Sequence, residues 1–125
     1  MKYILLVLCV CSFFSCSKKN AALPGLDLVE WKADKYGCKG YRLNQATVLD
    51  KGKDNLFGYS EKQVISVLGV PDETELIDRS EKYYSYYLKG NSRCPVPVDS
   101  IRLHLRIRFN SLGYSKEVLV LTEKI

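Results

Sequence analysis

Residues 101–109, IRLHLRIRF, alternate without a fault: Ile101, Leu103, Leu105, Ile107 and Phe109 point one way, and Arg102, His104, Arg106 and Arg108 the other. A period of two held over this length predicts a strand with one face on a core and the other wet, as antiparallel sheets allow. Upstream, Lys82–Leu88 (KYYSYYL) is aromatic-rich and β-prone, and Glu73–Ile77 (ETELI) is a shorter candidate strand. Between them Asp78–Glu81 (DRSE) is turn-like. Downstream, Asn110–Tyr114 (NSLGY) supplies a turn containing Gly113, and Glu117–Thr122 (EVLVLT) a final strand. Keeping Leu88 dry places Tyr84, Tyr86 and Leu88 inward, which leaves Tyr83 and Tyr87 on the side of the arginines.

Ahead of the strands the period is helical. Ser60 and Gln63 are spaced as a capping box, so a helix starts at Glu61. Val64, Val67 and Leu68 form its apolar stripe, and Gly69 is placed as a left-handed stop before Pro71. Leu43–Asn55 carries Leu43, Ala46, Val48 and Leu49 without Gly or Pro before Gly52, which predicts an earlier helix of two or three turns. Leu26–Arg42 reads as an irregular lead-in with at most a helical turn near Glu30–Asp34, where Trp31 plugs the core. The predicted class is therefore α+β, with two short N-terminal helices packed on one face of a three- to four-stranded antiparallel sheet.

The N-terminus carries a different message. Lys2, an apolar run from Tyr3 to Phe14, then Ser15 and Cys16 read as a bacterial lipoprotein signal, too short to span a bilayer as a mature helix. Cys9 and Cys11 follow the bulky Leu8 and Val10, whereas the small Ser15 precedes Cys16, so Cys16 is the lipidation site. The expected organisation is a signal peptide over 1–15, a lipidated flexible tether over 16–25 and a single globular domain over 26–125. Ser17, rather than Asp, follows the lipidated cysteine; resemblance to enteric sorting rules then favours the outer membrane, with the globule facing the periplasm.

Removal of the signal leaves Cys38 and Cys94, which an oxidising compartment favours as one disulfide. Closing that loop would stabilise the fold by roughly 4 kcal/mol in the chain-entropy model. Two free buried thiols are the competing reading. A metal site with His104 lacks paired ligand spacing, so no metal is expected.

A net charge of +5, with bases and acids intermixed and no dense basic run, argues against a nucleic-acid partner. Neither a Gly-rich phosphate loop nor a nucleophile elbow nor a paired-carboxylate constellation stands out. His104, the one histidine, lies among arginines that disfavour its charged form. No catalytic residue and no cofactor are expected, and the chain reads as a non-enzyme. The stripe Arg102, His104, Arg106 and Arg108 has two readings: a solvated sheet face, or a docking surface for an acidic partner or anionic lipid headgroups, with Tyr83 and Tyr87 contributing. The loop Lys89–Ser100, with Cys94, Pro95 and Pro97, offers another binding mode, insertion into a target's cleft by an inhibitor-type domain.

Several of these residues recur together in a known family. Leu56-Phe57-Gly58-Tyr59-Ser60, Gln63-Val64, Leu68-Gly69-Val70-Pro71-Asp72, a Tyr-rich strand, and a strand ending Phe109-Asn110 before Gly113 resemble the SmpA/OmlA (BamE-like) small outer-membrane lipoproteins. The likeness covers about Leu56 to Thr122; Trp31–Arg42 and the Cys94 loop lie outside it. It implies a lipidated cysteine, a short tether and a BamE-like two-layer domain that binds a partner of the outer-membrane β-barrel assembly machinery without catalysis.

Overall fold

The computed structural model describes residues 22–95 and 100–124. Four short helices precede a four-stranded antiparallel sheet: α1 (Leu28–Ala33), α2 (Tyr41–Asn44), α3 (Ala46–Gly52), α4 (Glu61–Leu68), then β1 (Glu73–Leu76), β2 (Lys82–Lys89), β3 (Ile101–Phe109) and β4 (Ser115–Lys124). Spatial order follows chain order, β1-β2-β3-β4. The α+β class and the antiparallel sheet match the reading of the sequence, but two helices become four.

Local chemistry explains the extra pieces. α1 forms because Asp27 caps it, its carboxylate accepting the N–H groups of Val29 (3.0 Å) and Glu30 (3.3 Å). The helix expected over Leu43–Asn55 splits at Gln45 (φ −96°, ψ 5°) into α2 and α3, followed by a 3-10 turn over Lys53–Leu56. Gly40 (φ 87°) turns the chain directly into Tyr41, and this phase buries Arg42 while Leu43 stays 38% exposed. The capping box forms as predicted: Gln63 N–H donates to Ser60 Oγ (3.2 Å), and Ser60 N–H to Gln63 Oε1 (2.8 Å). Gly69 ends α4 at φ 81°, ψ −176°, a region essentially reserved for glycine but not the left-handed helical one anticipated.

The core lies between the helices and one face of the sheet. Tyr84, Tyr86, Leu88, Leu105, Ile107, Phe109 and Val118 meet Trp31, Leu49, Leu56, Val64, Val67 and Leu68 there. Tyr84, Tyr86 and Leu88 point inward, as expected. Their phenols keep partners, Tyr84 donating to Glu61 (2.8 Å) and Tyr86 to the Gly69 carbonyl (2.8 Å). Burial, reinforced by Glu61, pushes the Tyr84 phenol up to about 12. Trp31 is fully buried, its indole N–H donating to the Leu68 carbonyl at 3.0 Å. Packing also reaches back into the stretch read as spacer: Ala22 and Leu23 are buried, and Asn55 Nδ2–H donates to the Ala22 carbonyl at 2.9 Å.

Two register shifts interrupt the ladders. Tyr87 pairs with His104 and Lys89 with Leu103, which leaves Leu88 as an extra residue in β2. Arg108 pairs with Glu117 and Phe109 with Ser115, which leaves Lys116 extra at the start of β4. β3 and β4 are otherwise in continuous register from Ile101/Lys124 to Arg108/Glu117.

Candidate functional site

The sheet face turned away from the helices carries every partner-binding residue singled out in the sequence. Cross-strand rows order it: Glu75, Tyr83, Arg108 and Glu117; Glu73, Ser85, Arg106 and Leu119; Tyr87, His104 and Leu121; Arg102 and Glu123. Arginine and tyrosine interleave. The Arg106 guanidinium lies 3.8 Å over the Tyr83 ring and donates to Glu75 at 3.2 Å. Arg108 stands 5.7 Å from the same ring and holds Glu81 through two bonds, of 3.1 and 2.6 Å. Lys116 joins Glu81 from the other side. Lys116 and Arg108 together hold the Glu81 carboxyl below the ordinary carboxylate value. Arg102 lies 5.4 Å over the Tyr87 ring. The stripe is thus flanked by acids on both sides, Glu73, Glu75 and Glu81 towards β1 and Glu117 and Glu123 on β4. It is an alternating surface rather than a uniformly basic one.

The wet face predicted around His104 is dry at its centre. Tyr87 is 3% exposed and His104 4%, the phenol ring standing edge-on to the imidazole at 5.5 Å and 86°. Tyr87 leans across the sheet to donate to Glu73 (2.6 Å), and burial, with Glu73, pushes its phenol well above its ordinary value. Neither nitrogen of His104 has a hydrogen-bond partner among the described residues, and Glu123 Oε1 is 3.9 Å from Nε2. Arg102 Nε is also buried and has no partner among the described residues. Burial lowers the His104 pKa, Arg106 and Arg102 lower it further, and Glu123 and Glu73 oppose them. Among the described residues no hydrogen bond orients either nitrogen, an arrangement unlike that of a positioned general base.

A second polar cluster had no counterpart in the sequence reading. Arg42 is 2% exposed and pairs with the buried Asp72 at 2.7 Å. Its Nε–H donates to the Trp31 carbonyl (2.9 Å), its Nη1 also reaches the Tyr87 carbonyl (3.2 Å), and its guanidinium lies 4.6 Å over the Trp31 ring. Asp72 accepts from the N–H of Tyr87 (2.7 Å) and of Tyr36 (3.2 Å). Asp34 accepts the N–H of Lys39 (2.6 Å) and of Arg42 (2.9 Å). The physical need is plain: β1 stops pairing at Glu73/Ser85, so both main-chain groups of Tyr87 beside the bulge would otherwise be orphaned in the interior. Arg42 and Asp72 stand in for the missing strand.

The same end of the sheet carries the cysteines. Cys38 and Cys94 stand at disulfide distance, with sulfurs 2.09 Å and Cα atoms 5.2 Å apart. Gly37 makes this approach possible, since a Cβ there would lie 2.5 Å from the carbonyl carbon and oxygen of Leu88. In the Cys94 loop, Asn91 is buried and its side chain accepts the N–H of Arg93 (2.8 Å), while Arg93 donates to the Tyr36 hydroxyl at 2.5 Å and lies 5.0 Å over that ring. Val96–Asp99 and the lipidation residue Cys16 lie outside the described residues. A shallow hollow of about 250 Å³, lined by Pro24, Val48, Lys51, Gly52 and Asn55, lies beside the start of the described chain. Compared with protein-family models, with curated proteins and with solved structures, the chain matches none.

Proposed function

We propose that this chain is a non-catalytic, lipid-anchored protein-interaction module of the bacterial cell envelope, held at the outer membrane through Cys16 with its globule in the periplasm. Its docking surface is the open sheet face, and its partner is a protein. One observation carries the reading: Tyr83 and Arg106 are stacked at 3.8 Å and fixed by Glu75, a rigid aromatic and guanidinium pair at the surface. Such pairs supply contact area while losing little side-chain freedom on binding, as interface hot spots do. Glutamates on both sides of the arginines favour a partner with mixed charge over anionic lipid headgroups. The resemblance to the SmpA/OmlA family adds the finer proposal of a BamE-like two-layer domain and an accessory place in β-barrel assembly.

The test is in-cell crosslinking of the lipidated protein through probes at Arg102, Arg106 and Tyr83. Recovery of a barrel-assembly component is the expected result. Recovery of nothing beyond that from probes on the helix side sinks the docking face. Cys16→Ala is expected to release the protein from membranes, and retention without acylation would remove the anchor.

A second reading, an inhibitor-type domain, is favoured by the way Arg93 is displayed on the Tyr36 ring beside the bonded cysteines. Asn91 is structural, so the discriminating variants are Ser92→Ala and Arg93→Ala. They would abolish an inhibitor and leave the sheet-face crosslinks unchanged.

A further inference from the structure

The order β1-β2-β3-β4 leaves two edges, and they are unlike. β1 has four residues, and its two open-face glutamates are already engaged, Glu73 by Tyr87 and Glu75 by Arg106. β4 has ten residues. From Glu117 to Lys124 its pairing with β3 runs without a shift, so its other side presents regular main chain whose alternate N–H and C=O groups have no strand beside them among the described residues. Natural edges of this length are commonly blunted by proline, a bulge or an inward charge. The stretch Val118–Thr122 (VLVLT) has none of these, and the bulge at Lys116 lies before it. Val118 and Val120 pack on the helix side, while Leu119 is 37% exposed on the open face.

We propose that the outer edge of β4 receives an extended strand of a different protein, aliphatic opposite Leu119 and Leu121 and basic opposite Glu117 and Glu123. The cross-strand neighbours disfavour a second copy of this chain. Antiparallel self-pairing must keep each residue on its own face, which leaves two registers that use most of the regular stretch. Centred on Val120, the pairing sets Glu117 against Glu123 at both ends. Centred on Leu121, it sets Leu119 against Glu123 and Val118 against Lys124. Both place disfavoured neighbours twice around the two-fold axis. A foreign strand escapes the conflict. Glu117 faces Arg108 and Glu123 faces Arg102 across β3, but among the described residues neither acid closes an ion pair with its arginine, and Glu123 stands 3.9 Å from the His104 imidazole. These acids lie about 20 Å apart along the edge, the span of a seven-residue strand. Main-chain bonds would supply the affinity and the two acids the selectivity, the mode of β-strand addition.

The edge and the sheet face fail separately, since loss of crosslinks at Tyr83 or Arg106 leaves this inference intact. The probe is a capped synthetic peptide, Lys-Thr-Val-Thr-Val-Thr-Lys, added at millimolar concentration to the full chain in detergent micelles, with amide hydrogen exchange read residue by residue. In the free protein, alternate amides of 117–123 exchange freely, and the peptide slows that alternate set by about tenfold or more. A peptide with glutamate in place of both lysines gives no slowing, and neither does the variant Glu117→Lys/Glu123→Lys with the basic peptide. Absence of protection by the basic peptide overturns the proposal. So does protection that rises with protein concentration alone while sedimentation reports a dimer, the signature of a second copy.

Discussion

Two polar clusters meet back to back at Tyr87, and they are built on opposite terms. On one side Asp72 and Arg42 hold the N–H and C=O of Tyr87, and both carboxylate oxygens of Asp72 and the Nε and Nη1 of Arg42 find partners. On the other, the Tyr87 ring covers His104, whose two nitrogens are buried and unpaired. A satisfied network inside a fold specifies one structure. Unsatisfied polar atoms cost stability, so a face that keeps them is shaped by something other than stability. The clamp belongs to folding, and the unpaired atoms lie on the face proposed above as the docking surface.

Breaking the clamp is expected to give the largest effect. Arg42→Met leaves Asp72 buried without its counter-charge and should cost about 3–5 kcal/mol in urea unfolding. A loss below about 1 kcal/mol would show the pair to be dispensable and erase the contrast. The double variant Arg42→Met/Asp72→Leu should not recover, because Asp72 also serves the N–H groups of Tyr36 and Tyr87. Cys38→Ser/Cys94→Ser comes next, at about 4 kcal/mol by the loop-closure estimate, and equal stability with and without reductant would contradict it.

The smallest effect has the opposite sign and separates the clusters best. His104→Leu removes two unsatisfied buried nitrogens and should stabilise the fold by about 1 kcal/mol. The pH profile sharpens this. Because burial lowers the His104 pKa below its ordinary 6.5, the unfolded chain takes up the proton first, and wild-type stability falls as pH drops below about 6.5. In His104→Leu that part of the decline should vanish; an unchanged profile would place the responsible proton elsewhere.

How much of this was legible in the chain depended on the range of the signal. The capping box of Ser60 and Gln63 and the alternation of β3 are written within a few residues, and both appear where they were read. Arg42 was missed because its reasons lie far away: Asp72 is 30 positions distant, and Tyr87 needs the pair only because of a bulge that no local pattern announces. Local patterning gave the inward place to Leu43, which stays 38% exposed. The dryness of His104 likewise depends on the lean of Tyr87 across the strands, a cross-strand fact invisible to a period of two. Gly37 carried a readable hint, since a glycine beside a cysteine is suited to a close approach, but not which backbone it would approach.

The burial of Ala22 and Leu23 shortens the leash. If Cys16 carries the lipid, only the steps from Cys16 to Ala22 remain to bridge membrane and fold, at most about 20 Å of chain. The domain would then sweep a thin layer against the bilayer rather than roam the periplasm, and partners would have to bring their binding segments down to it.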